Sequence, residues 1–157
     1  MNDSDFMLTE SAMTDLAARI RALGMNLNKS TQKKGGGEDY HAAFRRHLAT
    51  MAEMFDCQLR REEEWLFDDV GVTGGGDIVW VRKKGGGGAV VVFEMDSTVK
   101  LRSFQKLKAA TALHKVWIYC GRDVWGFRTF LQKNDPGREI TPVIVPTTFV
   151  PSFADGS

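Results

Sequence analysis

At 157 residues, the chain has room for one domain with its own core and not for two of ordinary size. Apolar residues make up 43% and charged residues 26%, a globular balance that argues against an intrinsically disordered chain. The formal net charge of +1 neither demands nor excludes a polyanionic partner, so any such partner must be read from where the charges fall.

The N-terminal segment MNDSDFMLTE is acidic and lacks the basic-then-apolar pattern of a signal peptide. No run approaches the roughly 20 apolar residues of a membrane span. A soluble, cytoplasmic protein with no membrane partner is the expectation. Cys57 and Cys120 lie in apolar segments without a closely spaced framework, which fits reduced, buried thiols; a bridge between them would need an oxidising compartment.

Residues 9–23 predict an amphipathic helix, with Met13, Leu16, Ala17, Ile20 and Leu23 on one face and Gly24 as its stop. Residues 28–37, NKSTQKKGGG, read as a flexible linker. The expected division is a leading helix and linker over 1–37 and a main domain over 38–157. The leading helix either docks on that domain or pairs with a second copy in a homodimer. A second helix is predicted over 39–55, capped by Asp39, with Tyr40, Phe44, Leu48, Met51 and Phe55 in one stripe. Residues 57–67 predict an irregular strand. The runs DIVWV at 77–81 and AVVVF at 89–93 flank RKKGGGG and predict a β-hairpin. A helix follows over 97–114, with Leu101, Phe104, Leu107 and Ala110/Thr111 inward and Lys100, Arg102 and Lys106 outward. Then come a buried strand at 116–120, a short helix at 124–131 and a last strand at 141–145. A strand–helix–strand crossover beside a hairpin requires a mixed sheet, so the fold class is α/β. The glycine runs at 35–37, 74–76 and 85–88 mark loops; none is followed by the Lys-Ser/Thr of a P-loop.

Charge is unevenly distributed. From Glu62 to Asp96 eight acidic residues face three basic ones, whereas from Val99 to Lys133 eight basic residues face Asp123 alone. That order suits a metal site beside a polyanion-binding surface, and equally two solvated faces of opposite sign. Asp77 opens one hairpin strand directly after three glycines, and Glu94 and Asp96 close its partner. Antiparallel pairing brings the start of one strand beside the end of the other, and residues two apart share a face. Three converging carboxylates need a counterion, and oxygen donors of this kind select Mg²⁺ or Mn²⁺.

At these residues the chain resembles the PD-(D/E)XK nuclease superfamily. The motif residues are Asp77 in GGGDIVWV and Glu94-Met95-Asp96 in VVFEMDS, with sixteen residues between Asp77 and Glu94. The resemblance extends over residues 39–145 and includes the order of elements. It implies a restriction-endonuclease-like core, a central mixed sheet flanked by helices in αβββαβ order, here with an extra N-terminal helix. Asp96 stands where the family most often has lysine; in some members that lysine is displaced to the following helix. The resemblance then implies Asp77, Glu94 and Asp96 as ligands of Mg²⁺ or Mn²⁺ and Lys106, with Lys100 second, as the displaced lysine. Lys100, Arg102 and Lys108 would contact the phosphate backbone. Glu38 and Glu53 are weak options for a further carboxylate. The implied activity is metal-dependent hydrolysis of phosphodiester bonds in nucleic acid, DNA above all. The alternative is a nuclease-fold module without turnover, binding nucleic acid or a protein partner in replication, mobile-element or viral functions. An E-x-D triplet before a basic helix is also similar to the replication-relaxation proteins of mobile elements.

Other residues favour structural roles. His41 and His114 read as core or capping groups, and the cysteines and histidines lack zinc-like spacing. Glu62, Glu63 and Glu64 read as a solvated strand edge. Trp65, Trp80, Trp117 and Trp125 all lie in apolar segments and read as core rather than as stacking platforms.

Overall fold

The computed structural model describes residues 10–31, 40–59, 66–67, 72–73, 78–83 and 89–145. Four helices are seen: α1 (Glu10–Thr31), α2 (Tyr40–Met51), α3 (Leu101–Ala109) and α4 (Val124–Asn134). The strands are β1 (Cys57–Leu59), β2 (Leu66–Phe67), β3 (Val72–Thr73), β4 (Ile78–Arg82), β5 (Ala89–Asp96), β6 (Ala112–Tyr119) and β7 (Ile140–Ile144). Five of them form one mixed sheet in the order β1-β4-β5-β6-β7, and β2 and β3 make a separate antiparallel pair. Strands β1, β4 and β5 pair antiparallel, while β5, β6 and β7 run parallel. Both the hairpin and the crossovers expected from the sequence are present, and the class is α/β.

Alternation along the strands divides the core into two layers. Trp80, Phe93, Val116 and Ile118 face α1 and α2, which contribute Leu16, Ile20, Leu27, Phe44 and Leu48. Val79, Val92, Trp117 and Tyr119 face α3 and α4, which contribute Leu107, Phe127 and Leu131. Every residue of β5 is buried, as a central strand covered on both faces requires. Val81 pairs with Ala89 where unbroken register would give Val90, so Val90 is a bulge in β5.

Helix α2 gives way at Met51 to a 3-10 turn over Ala52–Phe55, α3 starts only at Leu101 and α4 runs on to Asn134, and two helix ends differ further from the sequence expectation. Gly24 does not end α1; it is buried within a helix that continues to Thr31. An internal glycine costs about 1 kcal/mol relative to alanine, and burial of Leu27 one turn later offsets this. The segment predicted as linker is therefore helical through Thr31, and residues 32–39 lie outside the described ones. In the other case α3 stops at Ala109, and the next residues pair with β5: Ala112 with Ala89 and His114 with Val91. His114 is thus a half-buried strand residue and not a helix terminus. The ladder available along β5 outweighs the helical preference of a short alanine-containing stretch. The predicted strand over 57–67 divides into β1 and β2, with residues 60–65 outside the described ones.

The α4–β7 corner is closed by a buried aspartate. Asp135 Oδ2 accepts from Ile140 N at 2.9 Å, and Oδ1 accepts from Glu139 N at 3.1 Å and Lys108 Nζ at 3.3 Å. This carboxylate also blunts the sheet edge. Val145 N–H reaches Tyr119 O, so alternation turns the main-chain groups of Ile140, Pro142 and Ile144 outward. Ile140 N–H is taken by Asp135 and Pro142 has none to offer, which protects β7 from pairing with another strand. No described helix is long and apolar enough to cross a membrane.

Candidate functional site

Glu94 and Asp96 project from the C-terminal end of β5 toward α3, on the same side as Val92. Both are buried, 3% and 4% exposed. A carboxylate in such a layer is costly unless it is hydrogen-bonded or faces a cation. Asp96 is served by both. Its Oδ2 accepts from Trp117 Nε1 at 2.9 Å, and its Oδ1 lies 3.6 Å from Lys100 Nζ. Trp117 is placed for this by the parallel ladder, which sets it opposite Glu94 on β6, and by edge-to-face packing on Phe127. The main chain of Asp96 is anchored as well: its carbonyl accepts from Cys120 N at 2.9 Å. At this point β5 and β6 leave no room for a side chain, because a methyl group on Gly121 would stand 2.1 Å from Ser97 O.

Lys106 is 8% exposed, which corrects the expectation that it points outward. Helix α3 turns Ser103, Lys106, Leu107 and Ala110 toward the sheet, a stripe at i, i+3, i+4 and i+7, and leaves Leu101 exposed. The apolar residues had suggested a stripe rotated toward Leu101 and Phe104. Strand β5 thus buries two carboxylates on the side that faces α3, and α3 buries a lysine. Lys100, which precedes α3, stays exposed at 61% of its side chain and salt-bridges Asp96 across the β5–α3 connection.

The other sequence-derived residues are distributed as follows. Asp77, Glu38 and the Glu62–Glu64 run lie outside the described residues; the described part of β4 begins at Ile78, which pairs with Phe93, the residue before Glu94. Arg102 is exposed on α3. Lys108 is held by Asp135 and by Glu139 at 3.0 Å, so its charge is engaged at the far end of α3. Burial alone would lower the Lys108 pKa, but the hydrogen bonds it donates to these two carboxylates outweigh it and raise the value. Glu53 is exposed and paired with Lys83. Trp80 and Trp117 are core residues as expected, whereas Trp125 is exposed. Among the described residues no three His, Cys, Asp or Glu side chains form a group able to hold a metal ion.

The cysteines are free and buried. Burial, then the neighbouring Asp96, push the Cys120 thiol up to about 12. Burial, then Asp56, push Cys57 up to about 11 against the opposing influence of Arg82. Both stay protonated at neutral pH and make poor nucleophiles.

No family model, curated protein or solved structure matches the chain.

The sequence names Lys106 but not its burial, and it reads Trp117 as a core residue without its bond to Asp96. An indole N–H two strand positions from a tyrosine carries no pattern of its own; it becomes readable only once the register places it beside Asp96.

Proposed function

We propose that the chain is a metal-dependent nuclease with a restriction-endonuclease-like core, hydrolysing phosphodiester bonds in nucleic acid, DNA above all. One observation carries the reading. Two carboxylates, two residues apart at the end of a central strand, are buried, and so is a lysine of the helix that follows. Charges placed this deep cost stability and are retained where they serve chemistry. These burials support reading Glu94-Met95-Asp96 as an E-x-D pair whose lysine is moved onto the helix.

The donor set suits a hard cation, since Glu94, Asp96 and Asp77 offer oxygen only. These three residues would hold Mg²⁺ or Mn²⁺, which when bound supplies a lowered pKa for the attacking water and offsets phosphoryl charge. Trp117 fixes one oxygen of Asp96 and thereby orients the other. Lys106 would stabilise the negative charge that builds on the phosphoryl oxygens, its ammonium fixed by burial rather than left to solvent. Lys100 and Arg102, exposed at the start of α3, would position the phosphate backbone without reading bases.

Titration calorimetry tests the metal site. Mn²⁺ is expected to bind at one or two equivalents and to raise thermal stability, with the heat lost in Asp77→Ala. No heat with the wild type, or undiminished heat in Asp77→Ala, would remove the site. A second reading, a nuclease-fold module without turnover, is favoured by the occupancy of Asp96: a carboxylate already satisfied by Trp117 and Lys100 is a poorer metal ligand.

A further inference from the structure

Trp125 is 78% exposed, more than any other large apolar side chain among the described residues. It stands in the first turn of α4, and the start of that helix is firmly set. Asp123 Oδ1 accepts from Gly126 N at 2.9 Å, and a methyl group at Gly126 would come within 2.2 Å of Asp123 Oδ2. Helix α4 directs Phe127 and Leu131 into the core, with Phe127 stacked on Tyr119 at a centroid distance of 4.4 Å. The helical period then turns Trp125 away from the sheet. Rotation of the helix to hide the indole would expose Phe127.

The face that Trp125 occupies is basic. Arg128 and Gln132 follow it at three and seven residues and are exposed, and Arg122 is exposed just before the helix. Arg128, Gln132 and Arg138 line an open cleft of about 550 Å³ at the far end of α4. The acidic groups along this track are engaged: Asp123 caps the helix, and Asp135 is buried under Lys108 and two main-chain N–H groups. At its other end the track adjoins the candidate site, because Gly121 touches Ser97 directly after Asp96.

An exposed indole between guanidinium groups fits a polyanion that also offers flat apolar faces. Duplex DNA presents phosphates but keeps its bases stacked on each other, so it leaves the indole without a partner. A single strand supplies both. We propose that the outer face of α4 binds single-stranded nucleic acid, with Trp125 stacking on an unpaired base and Arg122, Arg128 and Arg138 following the backbone. This deepens, and rests on, the nucleic-acid reading of the β5 site: the substrate carries an unpaired strand next to the bond that is cut.

Fluorescence anisotropy with a labelled oligothymidylate, and with a duplex of equal length, tests it. Trp125→Ala is expected to weaken binding of the single strand about tenfold or more, the loss of one stacked base, and to leave duplex binding within about twofold. Trp125→Phe should restore most of the affinity, and quenching of tryptophan emission by the oligonucleotide should vanish in Trp125→Ala. Unchanged single-strand binding in Trp125→Ala would overturn the proposal. So would a wild-type dimer that Trp125→Ala converts to monomer in sedimentation equilibrium, since the face would then belong to a second copy. The two readings fail separately. Trp125-dependent binding without metal-dependent cleavage removes the nuclease and keeps the strand-binding face. Cleavage of duplex that is indifferent to Trp125→Ala does the reverse. Absence of any nucleic-acid binding at low salt removes both.

Discussion

Asp96→Ala is expected to unfold about 5–10 °C below the wild type, whereas Asp96→Asn melts within a few degrees of it. The alanine leaves Trp117 Nε1 buried with no acceptor in place of the carboxylate that now receives it at 2.9 Å. An unsatisfied buried donor costs about 1–3 kcal/mol, and 1 kcal/mol moves the melting temperature of a domain this size by roughly 2–4 °C. Asparagine keeps an oxygen in the same place. Its amide would meet Lys100, but that side chain is largely in solvent and can turn aside. The charge is lost in both variants, so both should lose cleavage, by at least about a hundredfold. Calorimetric melting paired with a cleavage assay separates the two roles. If the asparagine variant were as unstable as the alanine variant, Asp96 would matter through its charge to the fold and not through the indole bond.

Asp135→Ala should be the most destabilising single substitution at the helix–strand corners, at about 3 kcal/mol. The buried carboxylate accepts from the main-chain N–H groups of Glu139 and Ile140 and pairs with Lys108, and alanine leaves all three without it. Lys108 retains Glu139, which limits the loss. Glu139→Ala is the control: that carboxylate is exposed and its ion pair is worth less than about 1 kcal/mol. Urea unfolding should show a lower midpoint for Asp135→Ala with an unchanged slope, and near-identity with the wild type for Glu139→Ala. Equal effects would mean that the surface ion pair, and not the buried cap, closes the corner.

The elements with strong local patterns are legible in the sequence. Helix α2, the β4–β5 hairpin, β6, α4 and β7 follow from apolar period and glycine placement, and together they require the mixed sheet. Readings failed where tertiary contacts overruled local ones. Gly24 is a helix terminator by composition, but Leu27 beyond it packs into the core. Residues 112–114 are acceptable in a helix, but β5 offers them a ladder. A lysine on an amphipathic helix normally points outward, so the sequence suggests that of Lys106; here the buried stripe of α3 runs through Ser103, Lys106 and Leu107 instead. The apolar neighbours of Trp125 suggest a core residue, yet Phe127 and Leu131 already fill that side of α4. Glu94 and Asp96 were recognisable because charge interrupts a valine-rich central strand. Their burial is the part of the candidate site that the structure supplies; Asp77 lies outside the described residues.

The most direct test of the central claim is hydrolysis itself. Wild type, Glu94→Gln and Lys106→Ala should be incubated with labelled linear, nicked, branched and single-stranded DNA, with Mn²⁺ and with a chelator. The account predicts cutting by the wild type in Mn²⁺, most readily where an unpaired strand is present, none with the chelator, and loss in both variants while their folds persist. A wild type that cuts no substrate, or one that cuts as well with Glu94→Gln, would contradict it.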